Sequence, residues 1–151
     1  MSAIASFTKL PMTSLEGLRQ STTQASFHRF LQQHGKPVSD YEWSGFILAT
    51  LLPYLEEQQI QLMKSEHDDL ATFLSQSLQA TCFIFTDAHR LAYVSKLDSQ
   101  SFSEEKLGEY YNELNATDDP DAGQPMLDGI RALRKSLSAL NAESVVVLCI
   151  A

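Results

Sequence analysis

Val145-Val146-Val147-Leu148-Cys149-Ile150 is the run whose reading decides the fold. It has no polar alternation and is too short for a typical helix. An uninterrupted apolar run of this kind reads as a strand covered on both faces. Two β-rich runs lie upstream, Thr81 to Thr86 (Thr-Cys-Phe-Ile-Phe-Thr) and Leu91 to Leu97. Asp87-Ala88-His89-Arg90 between them has the length and composition of a four-residue hairpin loop. The expected sheet is therefore small and three-stranded: a hairpin 81–86/91–97 plus the C-terminal strand 145–150. Residues 81–86 are apolar on both faces and belong in its middle. Such a sheet leaves edges open, and a homodimer through a sheet edge is one remedy.

The remaining chain has helical spacing. Tyr41 to Leu55 holds the single tryptophan and the densest apolar run before the C-terminus. Trp43, Phe46, Ile47 and Leu51 make one stripe, and Leu48, Leu52 and Leu55 widen it, so burial on several sides is expected. Ser39 and Glu42 have capping-box spacing and would open this helix. Pro53 would kink or split it, with the segment running to about Lys64. Upstream, Thr13 and Glu16 would start a helix that Ser21-Thr22-Thr23 interrupts and Gly35 and Pro37 end. Downstream, a helix from near Ser65 carries Leu70, Phe73, Leu74 and Leu78. Ser101 and Glu104 would open another, with Leu107, Tyr110, Tyr111 and Leu114 on its apolar side. A last helix carries Leu127, Ile130, Leu133, Leu137 and Leu140. Residues 1–12 have no clear period and read as a loose N-terminal arm. Residues 13–151 read as a single, mainly helical α+β domain.

Composition narrows the function classes. The net charge is -8, with residues 1–36 at +3 and the remainder, carrying 18 acids, at -11. An acidic body lacks the basic face that releases counterions from nucleic acid, so neither nucleic acid nor an anionic membrane is an expected partner. A basic protein partner suits the charge. Both cysteines, Cys82 and Cys149, fall in β-rich runs and behave as small buried hydrophobes, which suits a reducing, cytoplasmic setting. The first 20 residues lack a basic start followed by an apolar block, so no secretory signal is expected. The first 30 are Ser- and Thr-rich like a transit peptide but poor in arginine. No apolar run approaches the length of a membrane span.

Motifs for chemistry are missing. There is no nucleophile elbow, no phosphate-cradling glycine loop and no dinucleotide fingerprint. Asp118-Asp119-Pro120-Asp121-Ala122-Gly123 fails as a calcium loop, because glycine falls at the wrong position and no glutamate closes the ring. Glu66-His67-Asp68-Asp69 are consecutive on a helix and cannot converge on one ion. No metal, cofactor or catalytic residue is assigned. Asp87 and His89, in the expected hairpin loop, and Arg131, Arg134 and Lys135, on one side of the last helix, are candidates for contact with a ligand or anion.

The acidic stretch Glu104, Glu105, Glu109, Glu113, Asp118, Asp119 and Asp121 admits two readings. Its charges pair with Arg131, Arg134 and Lys135 on a neighbouring helix, at under ~1 kcal/mol per exposed pair. Or it is a recognition surface that steers a basic partner. The leading expectation is a small acidic cytoplasmic protein acting by macromolecular binding, as an adaptor, regulator or inhibitor. A small enzyme or ligand sensor with a pocket between helices and sheet, and a structural subunit of a larger assembly, are the alternatives.

Overall fold

The C-terminal run is a strand with every residue buried, and the fold is layered around it. The structure, a computed structural model, describes residues 3–151. Strands β1 (Ala5–Pro11), β2 (Lys36–Ser39), β3 (Thr81–Phe85) and β4 (Ser144–Ile150) form one antiparallel sheet in the order β2-β1-β4-β3. Among the described residues seven α-helices surround it: α1 (Leu15–Leu18), α2 (Gln24–His34), α3 (Gly45–Glu57), α4 (Asp68–Leu78), α5 (Asp87–Tyr93), α6 (Glu104–Asn115) and α7 (Gly123–Ser138). The class is α+β, as expected, with four strands instead of three.

The alternation of β4 explains its composition. Val146, Leu148 and Ile150 meet Phe7, Phe85, the leucines of α3 and the apolar side of α7 in one core. Val145, Val147 and Cys149 point the other way, into a second core with Leu10, Ile84 and residues of α1, α2 and α4. Both faces of the strand are therefore covered, and a polar residue at any of these positions would be buried. Each fully buried leucine or isoleucine contributes about 2 kcal/mol through surface removed from water.

Several expectations are corrected. Met1 and Ser2 of the expected arm lie outside the described residues, but Ala5–Pro11 is strand β1, inside the sheet between β2 and β4. Its partners on β4 are more than 130 residues away and those on β2 lie beyond α1 and α2, so no local turn signals it. Lys36–Ser39, between the expected helix end at Gly35 and the expected cap at Ser39, is the short edge strand β2. Residues 91–97 are not a strand: α5 starts at Asp87 and a 3-10 turn follows over Val94–Lys96. With no hairpin partner, β3 lies at the edge and β4 takes the central place.

The helix expected from Ser39 starts only at Gly45, where the Ser44 hydroxyl accepts from the Phe46 amide at 3.3 Å. It continues through Pro53 to Glu57 and does not reach Lys64. The late start leaves Trp43 in the preceding loop. Leu48, Leu51, Leu52 and Leu55 form the buried stripe, while Phe46, on the opposite side, is 50% exposed. Ser39, expected to cap this helix, instead donates to the Ala132 carbonyl of α7 at 2.7 Å.

Candidate functional site

Four of the seven acids of the expected segment are brought together around one concavity. α6 begins after Ser103, whose hydroxyl accepts from the Lys106 amide at 3.3 Å, and Glu104 and Glu105 occupy its first turn, where acids complement the helix dipole. Its apolar side is anchored by Leu107 and by Tyr110, whose ring meets Tyr54 of α3 edge-on at 4.9 Å. Gly108 and Gly123 let the α6 and α7 backbones touch. A β-carbon at Gly123 would overlap the Glu104 carbonyl oxygen, and one at Gly108 would lie 3.1 Å from the Gly123 nitrogen.

The connection between these helices is held by Asn112. Its side-chain amide donates to the Asp119 carbonyl at 2.9 Å, and its oxygen accepts from the Asp119 amide at 3.0 Å and the Thr117 hydroxyl at 2.8 Å. Ala116 ends α6 in the left-handed conformation, with φ 53°, which turns the chain back toward Asn112. Asp119 in turn accepts from the Asp121 amide at 2.9 Å.

The result is an open concavity of about 520 Å³ whose lining includes Glu104, Glu105, Glu109 and Asp119 together with Asn112 and Pro120. Glu113, Asp118 and Asp121 are exposed and do not line it. None of these seven acids makes an ion pair with a described residue. The expected pairing with the basic side of α7 is not formed. Arg131 bonds instead to Asp128, one turn earlier on its own helix, at 2.8 Å. Arg131, Arg134 and Lys135 share a separate cleft of about 310 Å³ with Ser99 and Ser138. Among the described residues, no group of three or more His, Cys, Asp or Glu side chains could hold a metal ion.

Asp87 and His89, expected together in a hairpin loop, are each bonded within the chain. Asp87 is bonded to Arg90 within α5. The His89 ring is 6% exposed and fully engaged: Nδ1 accepts from the Thr86 amide at 2.9 Å, and Nε2–H donates to the Lys64 carbonyl at 2.7 Å. Those bonds require the neutral ring, and burial lowers its pKa below the ordinary histidine value, although the Lys64 carbonyl opposes this. His89 thus caps α5 and ties it to the extended segment after α3.

Sequence reasoning missed the residues that shape the acidic surface, Gly108, Asn112 and Gly123. A glycine inside an amphipathic helix was the available sign of a close crossing. It also missed a second hollow, where the Trp43 indole donates to Asp128 at 2.9 Å and the Tyr41 hydroxyl donates to the Pro125 carbonyl at 2.8 Å. Burial, then the Asp128 carboxylate, pushes the Tyr41 phenol above its ordinary range. Among the described residues no helix is long and apolar enough to cross a membrane. No protein-family model matches the chain, and no curated protein or solved structure is significantly similar to it.

Proposed function

We propose that this protein acts by binding another macromolecule, a basic protein captured on the acidic face of α6 and its following loop, and that it serves as an adaptor, regulator or inhibitor in the cytoplasm. The observation that carries this reading is the set of four carboxylates around one open concavity, unpaired within the described chain. Uncompensated charge on a held surface raises the encounter rate with an oppositely charged partner. Separated carboxylates that do not converge on an ion suit several lysine or arginine side chains better than one cation.

The enzyme and sensor reading draws less support, since neither His89 nor Cys82 borders any of the concavities described above. A sheet-edge dimer or assembly is also disfavoured. Edge strand β2 carries Lys36 and Pro37, both of which discourage further pairing. On the other edge, the amides of Cys82 and Thr86 are taken by the Ser75 hydroxyl and the His89 ring.

The test is capture from native lysate by the wild-type chain and by a variant carrying Glu104→Gln, Glu105→Gln, Glu109→Gln and Asp119→Asn. Wild type should retain a basic protein that moderate salt releases, and the variant should lose it. A control with Glu56→Gln and Glu57→Gln should retain it. Equal capture by wild type and the four-site variant sinks the proposal.

A further inference from the structure

Two free thiols meet in the core beneath α4. Cys82 of β3 and Cys149 of β4 are cross-strand partners with sulfurs 3.6 Å apart, and the Cys82 thiol donates to Cys149. Ladder geometry identifies which kind of antiparallel pair they form. The Cys82 amide donates to the Ser75 hydroxyl of α4 at 2.9 Å and so points away from β4. On β4, Ala151 exchanges both backbone hydrogen bonds with Ile4, at 2.7 and 3.0 Å, and Cys149, two residues earlier, turns the same way toward β1. Neither cysteine aims its backbone groups at the other. This is the non-hydrogen-bonded pair, with α-carbons about 4.5 Å apart, at the short end of the ~4.4–6.8 Å range that a disulfide spans. Bringing the sulfurs from 3.6 Å to bonding distance moves each by roughly 0.8 Å.

Burial does not isolate the pair. Cys82 and Cys149 are 4% and 5% exposed. However, the row Ser6–Cys149–Cys82 lies one step inside the row Ala5–Ile150–Thr81, where Thr81 is exposed, and two inside the Ile4–Ala151 pair, which is open to solvent. The hydrogen bond from Cys82 lowers the Cys149 pKa against the effect of burial, whereas that bond, followed by burial, raises the pKa of Cys82. As the acceptor of the Cys82 thiol hydrogen bond, the Cys149 sulfur is the one placed to attack first.

We propose that Cys82 and Cys149 form a reversible thiol–disulfide site oxidised by hydrogen peroxide. The Cys149 thiolate attacks one peroxide oxygen, the O–O bond breaks, and the hydroxide that leaves takes up a proton as water. Cys149 is then a sulfenic acid. Deprotonated Cys82 attacks its sulfur, the S–S bond forms, the S–O bond breaks, and a second water leaves. Two thiols lose two electrons and two protons while one peroxide becomes two waters. The bond ties edge strand β3 to β4 and closes the chain segment that carries α5, α6 and α7. Small dithiols reverse it by exchange.

The experiment uses the full chain, reduced, freed of reductant and treated with peroxide, then studied by intact mass, non-reducing peptide mapping and thermal melting. The expected result is loss of two hydrogens, a Cys82–Cys149 cross-link within one chain, and a melting temperature raised by roughly 5–15 °C, all reversed by dithiothreitol. Cys82→Ser should gain oxygen on Cys149 without a cross-link, and Cys149→Ser should leave Cys82 unreacted at the same exposure. Thiols that stay unmodified in the folded wild type but react after denaturation overturn the site, as do cross-links formed only between chains. Faster oxidation of Cys149→Ser than of Cys82→Ser overturns the assignment of the attacking sulfur. Should the serine variants fail to fold, the wild-type mass and map still decide.

Discussion

Gly123→Ala should destabilise the protein far more than Gly108→Ala, although both add one methyl group at the same helix crossing. At Gly123 the new carbon would overlap the Glu104 carbonyl oxygen and lie 2.7 and 2.9 Å from the Glu104 Cγ and carbonyl carbon. Two of these three atoms are backbone, so no rotamer change relieves the overlap and α6 must move away from α7. A shift of roughly 1 Å forfeits a quarter to a half of the dispersion energy of each contact across that seam. Overpacking of this kind costs about 1–3 kcal/mol, against a gain of about 0.5–1 kcal/mol from alanine's lower unfolded-chain entropy. At Gly108 the nearest atom is 3.1 Å away and the next 3.5 Å, so a displacement of a few tenths of an ångström suffices. There the helix-propensity gain of about 1 kcal/mol should offset the crowding. Urea denaturation of the two variants measures both values. The expected outcome is a Gly123→Ala loss of about 1–2 kcal/mol and a Gly108→Ala change below about 1 kcal/mol. A Gly123→Ala protein as stable as wild type would refute the backbone contact that shapes the acidic concavity.

Leu51→Ala should cost about 2–5 kcal/mol, because Leu51 is fully buried, while Phe46→Ala should cost under about 1 kcal/mol; denaturant melts that rank them in reverse would contradict the orientation of α3. Stability should fall as pH drops below the ordinary histidine value of 6.5, since the unfolded chain binds a proton that folded His89 resists, and the fall should level off below the depressed folded pKa. His89→Gln should be less stable at neutral pH by about 1–3 kcal/mol and should lose that part of the slope, as measured by urea melts at several pH values. Asn112→Ala should release the loop that Asn112 holds, so that limited proteolysis cuts near Asp118 to Asp121 earlier than in wild type, with the rest of the fold retained.

The acidic surface was partly legible. The run Glu104 to Asp121 stands out by charge, and its four lining members share one concavity. The clamp was not legible, because Asn112 is an ordinary exposed-type residue until Asp119 comes back to it. Asp87 and His89 show the opposite failure. Their composition suggested chemistry, but His89 takes the place of the usual acid in a capping box, three residues after Thr86. That spacing was present in the chain, and it outweighed the β-propensity of Leu91 to Leu97.

The amino-acid sequence by itself determined the α+β class, the doubly covered C-terminal strand and most helices, because each depends on periodicity within a dozen residues. The break near Ser21 to Thr23 was equally local: Thr23 caps α2 through the Ser26 amide. Only the tertiary structure decided that Ala5–Pro11 and Lys36–Ser39 are strands and that β3 lies at the edge. Strand identity depends on partners distant in sequence, and short mixed runs do not specify those partners. The same holds for the Cys82–Cys149 pair. Each cysteine reads alone as a small hydrophobe, and their distance exists only once β3 and β4 are in register.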